Sequence, residues 1–313
     1  MPRTARPRDS ALRLTLRQLQ IFVAVAAAGS TAAAARRIAL SQPATSAALN
    51  ELEALLGGRL FDRVGGRLVL NEHGRTMLPE ARVLLDAAQT LESQFGAGGR
   101  IHAPHLRLAA STTIGNYLIP PLVAAYRRVQ PGARFSVEID NTEHVARAVA
   151  EYEADLGFIE GPTAEPGLVL QPWLTDELVV VAAPTHPLAR AARRRRLTLA
   201  QLADATWLMR EPGSGTRAVV EDTLLPLLHR MRSDTDLGSA EAIRQAAAAG
   251  LGITCLSRHV VADLVTLKRL VVLRTPLPAL RRPFYLVRPE RRRATPALER
   301  FIAHCRAAYR ARK

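Results

Sequence analysis

Between Thr15 and Gly58 the chain carries three helix-length segments in quick succession, each opened by a hydroxyl residue and each stopped within a few positions of its last apolar residue. Connections that short oblige three helices to pack on one another, with a tight turn between the second and third. Thr15-Leu-Arg-Gln18 has the form of a capping box, in which hydroxyl and amide each satisfy a free backbone N–H at a helix start. Leu19, Phe22, Val23 and Ala26 follow at i, i+3, i+4 and i+7, one apolar stripe of a helix that Gly29-Ser30 ends. Thr31–Ile38 makes a short second helix. Ser41 caps a third, with Pro43 tolerated in its first turn. Ala44, Ala48, Leu49, Leu52, Leu55 and Leu56 run down its apolar side to a stop at Gly57-Gly58. Arg63–Leu70 holds a Gly65-Gly66 turn between short β-prone segments, which predicts a hairpin or wing.

Asn71 caps a long helix expected to reach Phe95, despite the hydrogen bond that Pro79 removes. In it Met77, Ala81, Leu84, Ala88, Leu91 and Phe95 alternate in steps of four and three, the pattern of a coiled-coil seam and hence of a homodimer contact. The glycine-rich run Gly96–Gly99 reads as a hinge. After residue 104 strands and helices alternate: strands at Leu106–Ala110, Arg134–Ile139, Asp155–Ile159 and Leu178–Ala183, helices at Ile119–Val129 and Glu143–Glu151. A second series follows with Trp207–Met209, Ser214–Leu228, Ala240–Ala249 and Ile253–Leu256, then a late strand at Phe284–Arg288 and a closing helix at Thr295–Ala311. Alternation of this kind predicts parallel sheets with crossover helices.

Net charge is +15, but it is unevenly placed: +5 over residues 1–100, −5 over 101–185 and +15 over 186–313. Charge alone therefore does not single out the N-terminal helices as a polyanion contact. The run Arg193–Arg196 reads equally as codon bias and as a contact. Cys255 and Cys305, far apart and outside any CxxC, exclude a zinc ribbon and a disulfide scaffold and suit a reducing compartment; Cys255 follows an apolar strand pattern and is expected in the core. The eight histidines form no HExxH or other tight ligand pattern, so neither a metal nor a catalytic set is expected; His102 and His105, beside the hinge, are expected to be solvated. Gly213–Thr216 lacks the lysine of a P-loop. No apolar run approaches the ~18 residues of a membrane span. Arg13 and Arg17 before Ile21–Ala28 mimic an export signal, but the stretch is short and already committed to a helical stripe.

The words Leu16-Arg-Gln-Leu, Gly29-Ser30, Ala34-Ala35-Arg36-Arg37, Ser41-Gln42-Pro43-Ala44, Leu52-Glu53 and Arg59-Leu60-Phe61-Asp62-Arg63 occur in order. In these the chain resembles the LysR family of bacterial transcriptional regulators, nearly word for word over the first ~70 residues and more loosely beyond. The resemblance implies a winged helix-turn-helix that binds an interrupted palindrome in double-stranded DNA, with the third helix in the major groove. Ser41 would offer backbone N–H groups to a phosphate. Gln42, Thr45, Ser46 and Asn50 would face base edges and Pro43 thymine methyls, while Arg63 and Arg67 would reach phosphate or the minor groove. The chain departs from the family pattern at Thr31, Ala32, Ala47 and Ala48, where an aromatic, a hydroxyl, Arg and Gln are common. Fewer side chains can then reach DNA, and more of the readout falls to DNA shape.

The fold class implied is α/β, with an N-terminal all-α winged helix-turn-helix, a long linker helix and a two-lobed periplasmic-binding-protein-like effector domain of type 2. The expected boundaries are a disordered arm at 1–13, the DNA-binding domain at 14–71, linker helix and hinge at 72–99, and the effector domain at 104–313. Its lobe one would be 104–184 with 274–313, and lobe two 185–273. Hydroxyls and free N–H groups at strand ends and helix starts suit a small anion. The candidates are Ser111, Thr112, Thr113, Asn141, Thr142, Glu160 and Gly161 from lobe one, and Gly213, Ser214, Gly215, Thr216 and Ser239 from lobe two. The words Asn141-Thr142-Glu143, Asp155–Pro162 and Asp176-Glu177-Leu178 are similar to family members that regulate carbon fixation and sulfur assimilation, which implies a small anionic or phosphorylated metabolite and no other cofactor. A cytoplasmic homodimer or homotetramer is expected, with RNA polymerase as a further partner and no membrane. Two other readings stand beside it: an exported solute-binding protein of the same cleft architecture, and a small α/β enzyme, for which the sequence offers no convergent titratable set.

Overall fold

The capping signals of the first seventy residues are realised in a computed structural model that describes residues 13–95 and 105–310 apart from 234, 236, 291 and 293. The expected arm up to residue 12 and the hinge at 96–99 lie outside the described residues. The chain divides into two compact units, residues 1–102 and 103–313.

In the first unit helices α1 (Leu16–Ala28), α2 (Thr31–Arg37) and α3 (Gln42–Leu56) precede a hairpin of β1 (Phe61–Val64) and β2 (Arg67–Leu70), and α4 (Glu72–Phe95) follows. The Thr15–Gln18 capping box forms in both directions, and Ser41 Oγ accepts from Ala44 N at 3.3 Å. Gly29 and Gly57 end their helices in the left-handed region, and Gly65 and Gly66 turn the hairpin at φ +55° and +79°. That turn suits two L-residues badly and two glycines well. Leu19, Phe22, Val25, Leu49, Leu52, Leu60 and Phe61 form the core. Ala81 of α4 belongs to this core and Met77, Leu78 and Leu85 pack against it. The expected seam is therefore divided: Ala81 is spent inside its own unit and Met77 is half-spent, while Leu84 and Leu91, seven apart, are 47% and 58% exposed.

In the second unit strands β3 (His105–Ser111), β4 (Arg134–Asp140) and β5 (Leu156–Glu160) run parallel, linked by helices α5 (Thr112–Tyr117), α6 (Ile119–Val129) and α7 (Thr142–Ala150). Strand β6 (Leu168–Ala182) leads to helices α8 (Pro187–Arg194), α9 (Leu199–Ala203), α10 (Gly215–Leu228) and α11 (Ala240–Ala248), then β7 (Thr254–Ser257), α12 (Arg258–Thr266) and β8 (Val271–Val272). Strand β9 (Leu280–Pro289) returns, and α13 (Pro296–Arg310) closes. Among the described residues the strands make one sheet in the order β4-β3-β5-β9-β6-β7, with β8 also on β6.

Only the β3–β4–β5 portion is parallel; β5–β9, β9–β6, β6–β7 and β6–β8 are antiparallel, so the expectation of parallel sheets holds for half the domain. The expected strand Trp207–Met209 is reduced to isolated bridges at Trp207, which pairs with Ile253, and at Met209. The lobes also change over earlier than residue 184. Trp173 and Leu174 pack with the first lobe's core, but Leu178, Val180 and Ala182 belong to the second lobe's core with Trp207 and Leu224. On the return, Leu280 belongs to the second core and Phe284 to the first. Strands β6 and β9, paired from Leu168↔Pro289 to Leu178↔Leu280, are thus the continuous link between lobes.

Alternation explains how β6 serves two layers: Leu178, Val180 and Ala182 face α9 and α10, while Val179 and Val181 face α11 and α12. Cys255 and Cys305 are both buried, and burial pushes each thiol up to about 12. Both remain neutral core side chains near pH 7.

Gly74, in the first turn of α4, sets how closely that helix meets the hairpin. A Cβ there would stand 2.2 Å from the Leu60 carbonyl oxygen and 2.7 Å from Leu70 Cδ2. Gly74→Ala is expected to destabilise the first unit by about 1–3 kcal/mol through overpacking against backbone. Calorimetric melting should show one transition lowered and the second unit's transition unmoved; an unchanged scan would show that α4 shifts freely.

Candidate functional site

Two regions bring the sequence candidates together, one in each unit.

On α3, Gln42, Pro43 and Asn50 are exposed and Ser46 is half-buried. Gln42, Ser46 and Asn50 recur at intervals of four and so share one helix face. Gln42 Nε2 also donates to Thr31 Oγ1 at 3.3 Å, tying the first turn of α3 to the start of α2. Thr45 does not join this face. It is 0% exposed and its hydroxyl donates to the Ser41 carbonyl at 3.0 Å, because it lies on the stripe of Leu49 and Leu52 that packs into the core. Arg63 and Arg67 are both exposed beside the hairpin turn. The register Arg63↔Leu68 and Val64↔Arg67 puts them on opposite faces of the hairpin.

In the second unit the ends of β3, β4 and β5 and the start of α10 meet around one buried group, Arg282 of β9. Its guanidinium is 0% exposed and lies between two carboxylates, Nη1 at 2.5 Å from Glu160 Oε2 and Nη2 at 2.8 Å from Asp176 Oδ2. Nη1 also donates to Thr216 Oγ1 at 2.9 Å and Nη2 to Thr113 Oγ1 at 3.5 Å. Glu160 accepts from Thr113 N at 2.9 Å and from Thr216 Oγ1 at 3.0 Å, and Asp176 accepts from Ser257 Oγ at 2.8 Å. The oxygens of Glu160 are thus engaged by protein groups on both sides. Burial pushes the Glu160 carboxyl up, but Arg282, the Ser111 and Thr113 donors and the nearby Arg210 outweigh it and hold the group below its ordinary value. Ser111 Oγ leans toward that carboxylate without meeting strict hydrogen-bond geometry, and it is buried with no other partner.

The lobes touch closely here. Gly213 O accepts from Glu143 N at 3.3 Å, and a Cβ on Gly215 would stand 1.9 Å from the Glu160 carbonyl oxygen and 2.7 Å from Thr142 Oγ1. Only glycine fits that approach. Arg210, 3% exposed, reaches from the second lobe and donates through Nη2 to Thr112 Oγ1 at 3.3 Å, while Glu211 binds the same guanidinium through two 2.7 Å contacts. Arg217 Nη1 donates to the Arg210 carbonyl at 2.9 Å, and Thr112 Oγ1 lies 3.3 Å from the Asp140 carbonyl.

The structure therefore gathers Ser111, Thr112, Thr113, Thr142, Glu160, Gly213, Gly215 and Thr216 at one inter-lobe contact. Asn141 and Ser214 lie at its edge, each capping its helix through His144 N and Arg217 N. Gly161, at φ +88°, donates its N–H to the Pro283 carbonyl. Ser239 caps α11 through Ala242 N, and among the described residues no hydrogen bond brings it to the others. Sequence reading missed Arg210, Asp176 and Arg282. Among the described residues no group of three or more His, Cys, Asp or Glu is placed to hold a metal ion. No single helix there is long and apolar enough to cross a membrane; α1 and α2 pass a composition test only together, bent by 116°.

Arg282→Met is expected to cost about 3–5 kcal/mol at pH 7, because it leaves buried carboxylates without their cation. A carboxyl held below its unfolded value adds stability that is lost as pH falls through its folded value. Wild type should hold its stability from pH 7 to 5 and lose it below about pH 4. In Arg282→Met the strongest of the groups that hold Glu160 down is gone. Burial then outweighs the remaining Ser111, Thr113 and Arg210 contributions and lifts the carboxyl. The sign therefore reverses, and the variant should gain stability from pH 7 to 5. Denaturant midpoints at these pH values would show it; parallel profiles would disprove the coupling.

Residues 16–75 match the model of the bacterial regulatory helix-turn-helix protein, lysR family, and residues 100–310 match that of the LysR substrate binding domain. The chain is 45% identical over 294 residues to the uncharacterized HTH-type transcriptional regulator YeiE of Escherichia coli K12, covering 94% of this chain and 98% of that one. It is 32% identical over 290 residues to the RuBisCO operon transcriptional regulator of Allochromatium vinosum, with 93% and 95% covered. Among solved structures, the regulatory domain of CcmR from Synechocystis PCC6803, in complex with 2-PG, has a TM-score of 0.60 at 32% identity, covering 65% of this chain and 96% of that one.

Proposed function

Because this chain belongs to the LysR family of DNA-binding transcriptional regulators, we propose that its second unit is a sensor for a small anionic metabolite bound between the lobes, and that occupancy controls DNA binding by the first. The observation that carries the reading is Arg210. It brings a buried guanidinium from the second lobe to the Thr112 hydroxyl of the first, where the N–H groups at helix starts also favour negative charge. An anion held there contacts both lobes and shifts their balance by its difference in affinity for the two arrangements. CcmR, 32% identical in its regulatory domain and solved with 2-PG, supports a small-metabolite ligand. The reading places the protein in the cytoplasm, on an interrupted palindrome, as a homodimer or homotetramer.

For DNA, the face formed by Gln42, Ser46 and Asn50 reads base edges, with Pro43 beside it, while Ser41, Arg63 and Arg67 meet the backbone. The test is calorimetry of the full chain against sulfate, phosphate, sulfite, sugar phosphates and common carboxylates, followed by anisotropy on promoter DNA with and without the anion that binds. Thr112→Val should weaken that anion by about 1–3 kcal/mol and leave ligand-free DNA affinity near wild type. Gln42→Ala should cost about 1–3 kcal/mol on the promoter and relax base preference, and Arg67→Ala should weaken all duplexes evenly. Failure of every anion to bind wild type would end the anion reading.

Leu84 and Leu91 form the exposed part of the seam, and we assign the dimer contact to them rather than to Met77 and Ala81. Leu84→Asp puts an unpaired charge into that contact. It should abolish the dimer by sedimentation and reduce DNA affinity, with both units still folded; an unchanged oligomer would move the interface elsewhere.

A further inference from the structure

The run Arg193–Arg196 does not lie along a helix face. It closes one side of a concavity of about 600 Å³ in the second lobe, which Arg258 at the start of α12 and Arg274 before β9 border from other directions. Leu178–Val180 of β6 contribute to its wall, and none of the inter-lobe residues described above lines it. Three separate stretches of chain therefore bring six arginine residues to the border of one hollow. Against them stands Glu177, bound to Arg258 through contacts of 2.9 and 3.1 Å.

Many arginines of this unit are paired and some, such as Arg127 and Arg128, are not; what sets these apart is that unpaired arginines gather at one hollow. Arg147 pairs with Glu143, Arg217 with Glu221, and Arg244 with Glu241 and Asp263. Among the described residues Arg193, Arg194, Arg195, Arg196 and Arg274 have no such partner. Like charges gathered without a counter-charge repel, and a concave wall concentrates their field. The planar fork of guanidinium matches phosphate oxygens two at a time. The volume falls within the usual range for small-molecule sites. A DNA backbone presents its phosphates in a line and is met by a ridge or stripe, whereas here the cations surround a hollow.

We propose that this hollow is a second anion site, separate from the inter-lobe cleft, that takes a compact polyphosphate: a nucleoside triphosphate or a short inorganic chain. It needs several linked phosphates, because a single phosphate engages at most a few of the six arginines.

The experiment is calorimetry of the full chain with inorganic tripolyphosphate, ATP and orthophosphate at fixed ionic strength. Tripolyphosphate should bind at least tenfold tighter than orthophosphate, and its affinity should fall as salt rises. Comparable affinity for ATP and tripolyphosphate means that the phosphate chain is read alone; tighter ATP binding means that a nucleoside is read as well. R195A/R196A/R274A should lose at least tenfold in tripolyphosphate affinity while keeping wild-type melting behaviour, and Arg274→Glu alone should act in the same direction. R127A/R128A, which removes two exposed arginines of the first lobe, should bind as wild type does. The proposal is overturned if wild type does not bind tripolyphosphate or if R127A/R128A loses as much as the triple variant. It is equally overturned if the triple variant binds tripolyphosphate normally but loses affinity for random duplex DNA, which would make the hollow part of a DNA-tracking surface.

Discussion

Everything in the sensor unit is arranged around a charge that water never reaches. Arg282 is fully buried, and a buried ion is tolerable only with its counter-charges and hydrogen bonds in place. Glu160 closes β5, Asp176 sits in β6, Thr113 lies in the first turn of α5 and Thr216 in the first turn of α10, so the guanidinium is satisfied only when both lobes present their ends together. Such a network contributes less to total stability than apolar packing does. Its effect is on uniqueness, since any other arrangement of the lobes must give these groups new partners or admit water.

How much of this could be read from the chain depended on the range of each interaction. Caps and turns involve residues three or four apart, so Thr15, Ser41, Asn71 and the glycine pair at 65–66 announced their roles directly. Arg282 meets Glu160 across 122 positions, and Arg210 meets Thr112 across 98. Nothing local marks either arginine as different from its many solvated neighbours. Glu160, Thr113 and Thr216 were found for their positions at strand ends and helix starts, but that they satisfy one another was legible only once Arg282 was placed between them. Thr45 is the reverse case. Its spacing to Leu49 and Leu52 already put it on the apolar stripe, and weighing that periodicity above its hydroxyl would have sent it inward.

The first unit shows how one helix can serve two surfaces. The 24 residues of α4 give its early turns to the core through Ala81 and leave Leu84 and Leu91 on the outside. A step-of-four-and-three pattern describes both uses equally well, which is why the sequence could not divide them. The close approach at Gly74 then fixes which side of the helix faces in.

The lobes are joined not by loops but by two long antiparallel strands, β6 and β9, with one irregularity between Pro172 and Leu174. This makes the joint mechanical. Sliding one strand along the other would break a whole ladder of backbone hydrogen bonds at once, whereas bending or twisting the pair across its thin direction breaks none. The ribbon therefore behaves as a leaf spring: it permits the lobes to rock like jaws and forbids them to shear. With Arg282 seated on the ribbon itself, the clasp lies at the pivot rather than at the tips, and a small angular displacement there is magnified into a larger movement at the far ends of both lobes.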